Sequence, residues 1–232
     1  SPALANDLPR VYVPHVQSND VYVIDPATFK VVDKFRVGLN PQHVVPSWDL
    51  KTLWVNMDLG NQLVPIDPLT GKEGRPVDVE DPYNLYFSPD GALALVMAER
   101  LRRIDVHDPT TMALRRSLPV PCYGINHADF TADLSRFVAS CEFSGVLLVV
   151  DRAATTVQKV IDLNAVRTPG ATSPHDAMMS NGPKNGLRPG ASAMPQDVRL
   201  TPDGRWFLAA DMLRNGVWVI DAHTMEISRF IP

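Results

Sequence analysis

Four polar side chains stand at the same position of a phrase that recurs along the chain: His43, Asn84, His127 and Asp197. Imidazole, amide and carboxylate groups can hold a ligand or a metal ion, and an imidazole oriented by a carboxylate can transfer protons near neutral pH. Each of the four lies six residues before an aspartate, which is Asp49, Asp90, Asp133 and Asp203 in turn. Equivalent positions of a repeat occupy equivalent places in a fold, so the sequence predicts one polar cluster.

The spacing of the phrase indicates which structural unit positions these side chains. The four aspartates are 41, 43 and 70 residues apart, and the last interval becomes ordinary once a Gly/Pro/Ser-rich stretch, residues 165–193, is treated as an insertion. A repeat of about 40 residues is typical of β-propeller blades, each of which is one small sheet. The polar residues would then lie on successive blades.

One period of the repeat contains four short strands. Residues 84–87 lead into Ser88-Pro89-Asp90-Gly91, where proline fixes φ and glycine accepts a positive φ, so a tight turn to an apolar second strand is predicted. A more polar fourth strand follows the third, and no stretch has helical periodicity, which favours an all-β fold. The third strand is predicted to end at an aspartate in each copy: Asp25, Asp67, Asp105, Asp151 and Asp221.

A four-stranded sheet of this size buries both faces only by stacking against others around an axis, which predicts a β-propeller of antiparallel blades. The segments Arg10-Val11-Tyr12-Val13 and Leu200-Thr201-Pro202-Asp203-Gly204 resemble the repeats of the YVTN (YncE-like) propeller family. The resemblance covers nearly the whole chain. It implies the fold rather than the function, because propellers of this build host binding, scaffolding and several chemistries.

The number of blades bears on whether the ring is complete. Residues 10–38 supply three strands of a partial blade, and the complete blades are predicted at 41–80, 81–121, 122–164 and 195–232 of one domain spanning 1–232. The family usually closes with about seven blades, so the chain is interpreted as an incomplete portion of a seven-bladed ring. A closed five-bladed ring is the alternative.

Composition limits the classes of partner. The 232 residues carry a formal net charge of −4 with no basic cluster, which argues against nucleic acid. The sequence has no apolar run long enough to span a membrane. A small molecule or a protein is the expected partner, and the open edges of an incomplete ring could pair two copies.

The two cysteines, Cys122 and Cys141, bear on cellular location. If the strand containing His127 pairs with the strand that ends at Cys141, Cys141 lies roughly opposite His127, and a Cys122–Cys141 disulfide becomes plausible. Two unpaired buried thiols, or a soft metal site that includes His127, are the alternatives. The resemblance implies a periplasmic or extracellular protein, and a disulfide would suit that compartment.

The four repeated polar residues are predicted to surround one mouth of the central channel. Each stands near the start of the strand expected to be innermost, and Gln196 lies beside Asp197. A ring of this kind can hold a ligand, a metal ion or ordered water. The alternative is that each side chain caps its own blade by hydrogen bonding to the backbone.

The insertion at residues 165–193 is predicted to reach the same mouth, because it leads directly into Pro195-Gln196-Asp197. Long loops of compact domains are often lids or binding loops. His175, with the neighbouring methionines, could supply soft ligands to copper, and His43, His127 and His175 are the candidate metal ligands, for copper or calcium. Packing of the loop against the barrel is the alternative.

The sequence has no nucleophile elbow, phosphate loop or zinc-protease motif. The repeated polar residues and the family resemblance lead to three functional hypotheses. The first is an exported, non-catalytic propeller that binds a ligand or a protein partner at the channel mouth through His43, Asn84, His127, His175, Gln196 and Asp197. The second is a metal- or haem-type cofactor-binding protein associated with redox chemistry. The third is a lactonase-like, metal-dependent hydrolase.

Overall fold

The computed structural model describes residues 4–166 and 187–232. Within these ranges the chain folds into antiparallel β-strands with short 3₁₀ turns, of which Glu142–Ser144 is one, and no α-helix. The prediction of an all-β fold is therefore confirmed. No helix of the described residues is long and apolar enough to cross a membrane.

Three sheets follow one another in the first part of the chain, and each is a simple meander in which neighbouring strands are consecutive. The first sheet has three strands and the next two have four. Their strands are β1 Val11–His15, β2 Asp20–Asp25 and β3 Lys30–Arg36; β4 Pro41–Pro46, β5 Leu53–Met57, β6 Gln62–Ile66 and β7 Val77–Asp78; β8 Pro82–Phe87, β9 Ala94–Ala98, β10 Arg103–His107 and β11 Leu114–Pro119.

Two further four-stranded meanders make up the fourth and fifth sheets. Their strands are β12 Ile125–Phe130, β13 Arg136–Cys141, β14 Val146–Asp151 and β15 Val157–Asp162; β16 Pro195–Leu200, β17 Trp206–Asp211, β18 Gly216–Asp221 and β19 Ile227–Ile231. All five sheets lie inside the blade ranges predicted from the repeat.

The chain divides into two compact units. The first is Ser1–Leu101 with Asp105–Ser117, and the second is Arg102–Ile104 with Leu118–Pro232. The first unit thus carries the first two sheets and most of the third, and the second unit carries the fourth and fifth. The single domain over 1–232 and the number of blades in a closed ring stay predictions.

Burial differs between the strands of each sheet. The second strand of three of the four-stranded sheets, β5, β9 and β13, is almost wholly buried. The fourth strand is mostly exposed, as in β15 and β19. Branched and aromatic side chains of the inner strands form the cores between the sheets, for example Val55, Met57 and Ile66 between the first and second sheets and Phe207, Trp218 and Ile220 between the fourth and fifth.

The repeated aspartate builds the turn between the first two strands of a sheet. A hydroxyl two residues earlier donates to its carboxylate, at 2.8, 2.6, 2.6 and 2.5 Å in the four copies, and accepts the backbone N–H five residues further on. These bonds hold the pKa of Asp133 at about 2, chiefly through the Thr131 hydroxyl. The donor–aspartate pairs are Ser47–Asp49, Ser88–Asp90, Thr131–Asp133 and Thr201–Asp203.

One of the aspartates predicted to end a third strand is misplaced. Asp105 lies in the middle of β10 and is buried, because the buried residues Val106 and His107 extend this strand beyond it. Asp108 takes the turn position instead, and its carboxylate accepts the backbone N–H groups of Thr110 and Thr111. The aspartate therefore has to be assigned from the length of the strand and not from the first apolar-Asp pair.

Two asparagines in turns, one between β1 and β2 and the other between β5 and β6, fasten their sheets to the chain that enters the next sheet. Asn19 and Asn61 have φ values of 56° and 52°, a left-handed conformation that asparagine tolerates. The Asn19 side chain accepts the N–H of Asn40 at 2.8 Å, and the Asn61 side chain accepts that of Asp81 at 2.9 Å. The starts of β4 and β8 are thereby fixed.

A clasp of two side chains, Asn164 and Arg214, holds the described ends of the insertion together. Asn164 Oδ1 accepts the N–H groups of Ser192 and Ala193, and its amide donates to the carbonyl of Gly145. Arg214 donates to the carbonyl of Val166 on one side and to that of Ser192 on the other, both at 2.7 Å. Residues 167–186 between these ends, with His175, lie outside the described residues.

Candidate functional site

His43 and Tyr83 join the second and third sheets within the first unit. The imidazole Nδ1 lies 2.9 Å from the carbonyl oxygen of Tyr83, and the two rings pack at 5.4 Å between centroids. Because a carbonyl only accepts, Nδ1 carries the hydrogen and Nε2 keeps the lone pair. The Nδ1 side of the imidazole is therefore taken up by a contact with the protein itself.

Asn84 is buried, and both ends of its amide have protein partners. The nitrogen donates to the Tyr86 hydroxyl, and the oxygen accepts the N–H of Leu85, each at 2.9 Å. This pattern matches the alternative in which a repeated polar residue stabilises its own strand. The predicted contact between Asn84 and a ligand stays a prediction.

His127 and Asp197 meet across the fourth and fifth sheets in the second unit. His127 Nδ1 lies 3.4 Å from Asp197 Oδ1; the imidazole is 13% exposed and the carboxylate 50%. Arg199 approaches the same carboxylate oxygen at 3.2 Å and donates to the carbonyl of Ala128. Two of the four predicted residues are thus brought together, with an arginine that the repeat did not indicate. The three side chains, His127, Asp197 and Arg199, are called the polar triplet below.

A buried network lies beneath the polar triplet. Asn126 is fully buried; its amide nitrogen donates to Glu142 at 2.8 Å, and its oxygen accepts the Ser140 hydroxyl at 2.7 Å and the N–H of His127 at 2.8 Å. Burial raises the pKa of Glu142, while the side chains of Gln196 and Asn126 lower it in part. The network fixes the backbone at His127, since a satisfied buried network rigidifies its surroundings.

Cys122 and Cys141 form a disulfide beside this network, with Sγ atoms 2.08 Å apart. The expected register is wrong in one respect, because Cys141 lies opposite Ile125 and not opposite His127. A bulge between Ile125 and Ala128 shifts the pairing. Among the described residues no cysteine is free, so the alternative soft metal site with two thiols does not form.

The first unit contains a cluster of charged side chains that the sequence did not indicate. Asp58 and Asp81 are buried at 4% and 0% exposure, and Arg100 lies between them, 3.5 and 2.8 Å from their carboxylates. Asp81 also accepts the N–H of Leu101, and Asn40 donates to Asp58. We call Asp58, Asp81 and Arg100 the acid pair cluster.

The charge of Asp81 is expected to make stability depend on pH. Burial, followed by the hydrogen bond with Asp58, raises the pKa of Asp81 to about 6 in the fold from 3.8. The folded protein therefore holds the proton more tightly, so this contribution to stability is complete below pH 4 and is lost as the pH rises through 6. We compare the free energy of unfolding of Asp81→Asn with that of wild type. This difference is expected to shift in favour of the variant by about 2 kcal/mol between pH 4 and pH 7.

Urea unfolding of both proteins at pH 4, 5, 6 and 7 measures this difference. Asp90→Asn is the matched control, because Asp90 lies in an exposed turn of the same unit and accepts the Ser88 hydroxyl. A constant difference between wild type and Asp81→Asn across the range would contradict the assignment.

In the described part of the chain, no group of three or more His, Cys, Asp or Glu side chains is arranged so that it could hold a metal ion. Gln196 contributes to the network around Glu142. His43 and His127 stay candidate ligands, and His175 lies outside the described residues. The acid pair cluster, Asn126 and Glu142 could not be found from the repeat because their partners are distant in sequence.

The fold is shared with known proteins. A family model described as a YNCE-like beta-propeller matches residues 4–159. Hydrazine synthase of Kuenenia stuttgartiensis superposes with a TM-score of 0.70 and 19% sequence identity, over 94% of this chain and 61% of that chain. In all, 1517 chains of solved structures match this chain. At 19% sequence identity, the likeness to hydrazine synthase shows the fold alone. The chain spans about three fifths of the hydrazine synthase chain, and no curated protein matches it.

Proposed function

Because the chain belongs to the YNCE-like beta-propeller family, we propose that it is an exported, non-catalytic binding protein. It takes a polar ligand, free or presented by a protein partner, at the polar triplet of the second unit. The observation that carries this proposal is the polar triplet. It offers a half-exposed carboxylate, an imidazole and a guanidinium within a few ångströms.

The polar triplet suits recognition because its members differ in hydrogen-bonding type and are held in place. An imidazole donates or accepts, a carboxylate accepts and a guanidinium donates. The His127 backbone is fixed by Asn126 and Ser140, so little order has to be gained when a ligand arrives. Preorganised groups of mixed type favour binding of a polar ligand.

Binding without catalysis is favoured by the position of the Ser140 hydroxyl. Ser140 is fully buried and donates to Asn126, so its oxygen is not presented to a ligand beside His127. A nucleophile would have to approach the imidazole within hydrogen-bond distance. The Ser140 hydroxyl, which donates to Asn126, is therefore not placed to act as a nucleophile beside this imidazole.

Export is supported by the Cys122–Cys141 disulfide, since disulfides persist in oxidising compartments and are rare in the cytosol. The resemblance to exported propellers points the same way. We place the protein in the periplasm or outside the cell.

The test is a titration of ¹⁵N-histidine-labelled protein followed by NMR. His127→Gln and His43→Gln assign the two imidazoles, and exposed His223 is the control. The probes are small carboxylates, amines, amides and short peptides, with Cu²⁺ and Ca²⁺ added separately. We expect a saturable shift at His127 with an organic probe, weakened at least fivefold by Asp197→Asn, while His223 is unchanged.

Two results would overturn the proposal. The first is a response to the metal ions alone that disappears in His43→Gln and His127→Gln, which would favour the metal-dependent alternatives. The second is the absence of any response at both imidazoles over the whole panel of probes.

A further inference from the structure

Trp48 stands out within the repeated turn of the second sheet. It occupies the middle position of Ser47-Trp48-Asp49, and the equivalent residues of the other copies are Pro89, Ala132 and Pro202. The turn itself is made by the hydroxyl and the aspartate, so it needs no indole. Trp48 is nevertheless 54% exposed, so part of its apolar ring stays in contact with water. This exposure is unfavourable, and a smaller residue would avoid it. An exposed tryptophan at a position that the fold does not require indicates binding.

The Trp48 ring is fixed in place by the neighbouring turn of the third sheet. Its Nε1–H donates to the carbonyl of Pro89 at 3.1 Å. Its six-membered ring lies directly on Gly91, where an added Cβ would come within 2.3 Å of Trp48 Cδ2. The absent side chain at Gly91, which has a φ of 69°, makes room for the indole. Trp48 is therefore a rigid, half-exposed platform.

A cleft of about 260 Å³ opens beside this platform, and its lining combines aromatic and polar side chains. All of its walls belong to the first unit. Its lining includes Trp48, Trp54, Asp49, Thr52, Pro109 and Thr110. Three hydroxyls, including that of Ser47, and one carboxylate against indole surface are typical of a small-ligand site, where few polar groups fix the orientation.

Asp49 supplies a charged acceptor at the rim of the cleft. Its side chain is 49% exposed, and the hydrogen bond from the Ser47 hydroxyl lowers its pKa, so it is ionised at neutral pH. Oδ1 accepts that hydroxyl, and the Lys51 ammonium lies 3.9 Å from Oδ2. The lysine leaves little net negative charge here and disfavours a cationic ligand next to the indole.

We propose that the cleft beside Trp48 binds the ring of a neutral sugar, with one face of the sugar stacked on the indole and its hydroxyl groups bonded to Asp49, Thr52 and Thr110. The C–H bonds on a pyranose face are weakly electropositive, and the indole face is electronegative, so the two attract while burying apolar area. Sugar hydroxyl groups both donate and accept, so they can donate to the Asp49 carboxylate and also accept from the threonine hydroxyls, whereas an ammonium ion only donates and a hydrocarbon does neither.

Saturation-transfer NMR on the intact chain tests this proposal, with glucose, galactose, mannose and N-acetylglucosamine as probes. We expect transfer to one or more of these sugars, with a Kd of about 1 mM. Trp48→Ala should weaken binding at least tenfold, Trp48→Tyr should retain part of it, and Thr110→Ala should weaken it about threefold. Phe29→Ala is the matched control, because Phe29 is an 85% exposed aromatic residue in a turn of the first sheet.

Circular dichroism of Trp48→Ala and Trp48→Tyr shows whether either variant keeps the fold, and Trp48→Tyr preserves the test if the alanine variant does not. Binding that is equal in wild type and Trp48→Ala would overturn the proposal. So would the absence of transfer to every sugar at about 50 mM. Binding of tetramethylammonium at the cleft in place of the sugars would overturn it as well, and would identify a cation site.

Discussion

Replacing Asp211 by alanine is expected to lower the free energy of unfolding by about 4 kcal/mol. The carboxylate is buried at the end of β17, where one oxygen accepts three backbone N–H groups and the other accepts the Trp218 indole N–H at 2.8 Å. Alanine leaves all four donors without an acceptor in a place that water does not reach. The three backbone donors, each at 3.0 Å, belong to Met194, Leu213 and Arg214.

Urea unfolding followed by far-UV circular dichroism measures this loss. Asp211→Asn should lose less stability, because the amide oxygen still accepts the backbone N–H groups. Only at Trp218 does the amide N–H then face the indole N–H, so that two donors meet. Asp221→Ala is the control from the following turn, where the carboxylate accepts two backbone N–H groups near the surface. A loss in Asp211→Ala no larger than that in Asp221→Ala would show that the buried bonds contribute little.

Replacing Arg100 by methionine should cost about 4 kcal/mol at pH 8, because it removes the cation of the acid pair cluster and leaves Asp58 and Asp81 buried together. Methionine keeps much of the length and apolar volume of the arginine stem, so the loss reports on charge rather than on a cavity. Unfolding in urea at pH 8 gives the value.

The loss in Arg100→Met should shrink as the pH falls toward 5, because protonation of Asp81 removes part of the repulsion. The double variant Arg100→Met/Asp81→Asn should recover part of the loss at pH 8, which a double-mutant cycle quantifies. Arg115→Met is the control, since Arg115 pairs with Asp108 at the surface of the same unit, where ion pairs contribute little. A pH-independent loss would mean that Arg100 acts by packing alone.

The local pattern was enough to predict the fold, because each repeat carries its own turn chemistry. The Ser/Thr-x-Asp turns close within six residues, so the sequence contains both partners of each bond. The assignment of Asp105 failed because the end of β10 depends on the burial of Val106, which is a property of the packed sheets.

The candidate site could be predicted only in part. The meeting of His127 with Asp197 follows from equivalent positions on sheets that are neighbours in the chain. The bonds of Asn126 to Glu142 and of Arg100 to Asp81 join residues that share no motif, so only the structure places them together. Trp48 did leave a signal in the sequence, since the other copies of the turn have proline or alanine at its position.

The clasp of Asn164 and Arg214 has a consequence for how this protein can diversify. Both ends of the insertion are held by side chains and carbonyls that lie outside residues 167–186. The contacts that set the end of β15 and the start of β16 therefore do not depend on the sequence of residues 167–186. Evolution, or an engineer, can change that sequence and keep both anchoring side chains, so the two sheets and the segment between them can diverge independently.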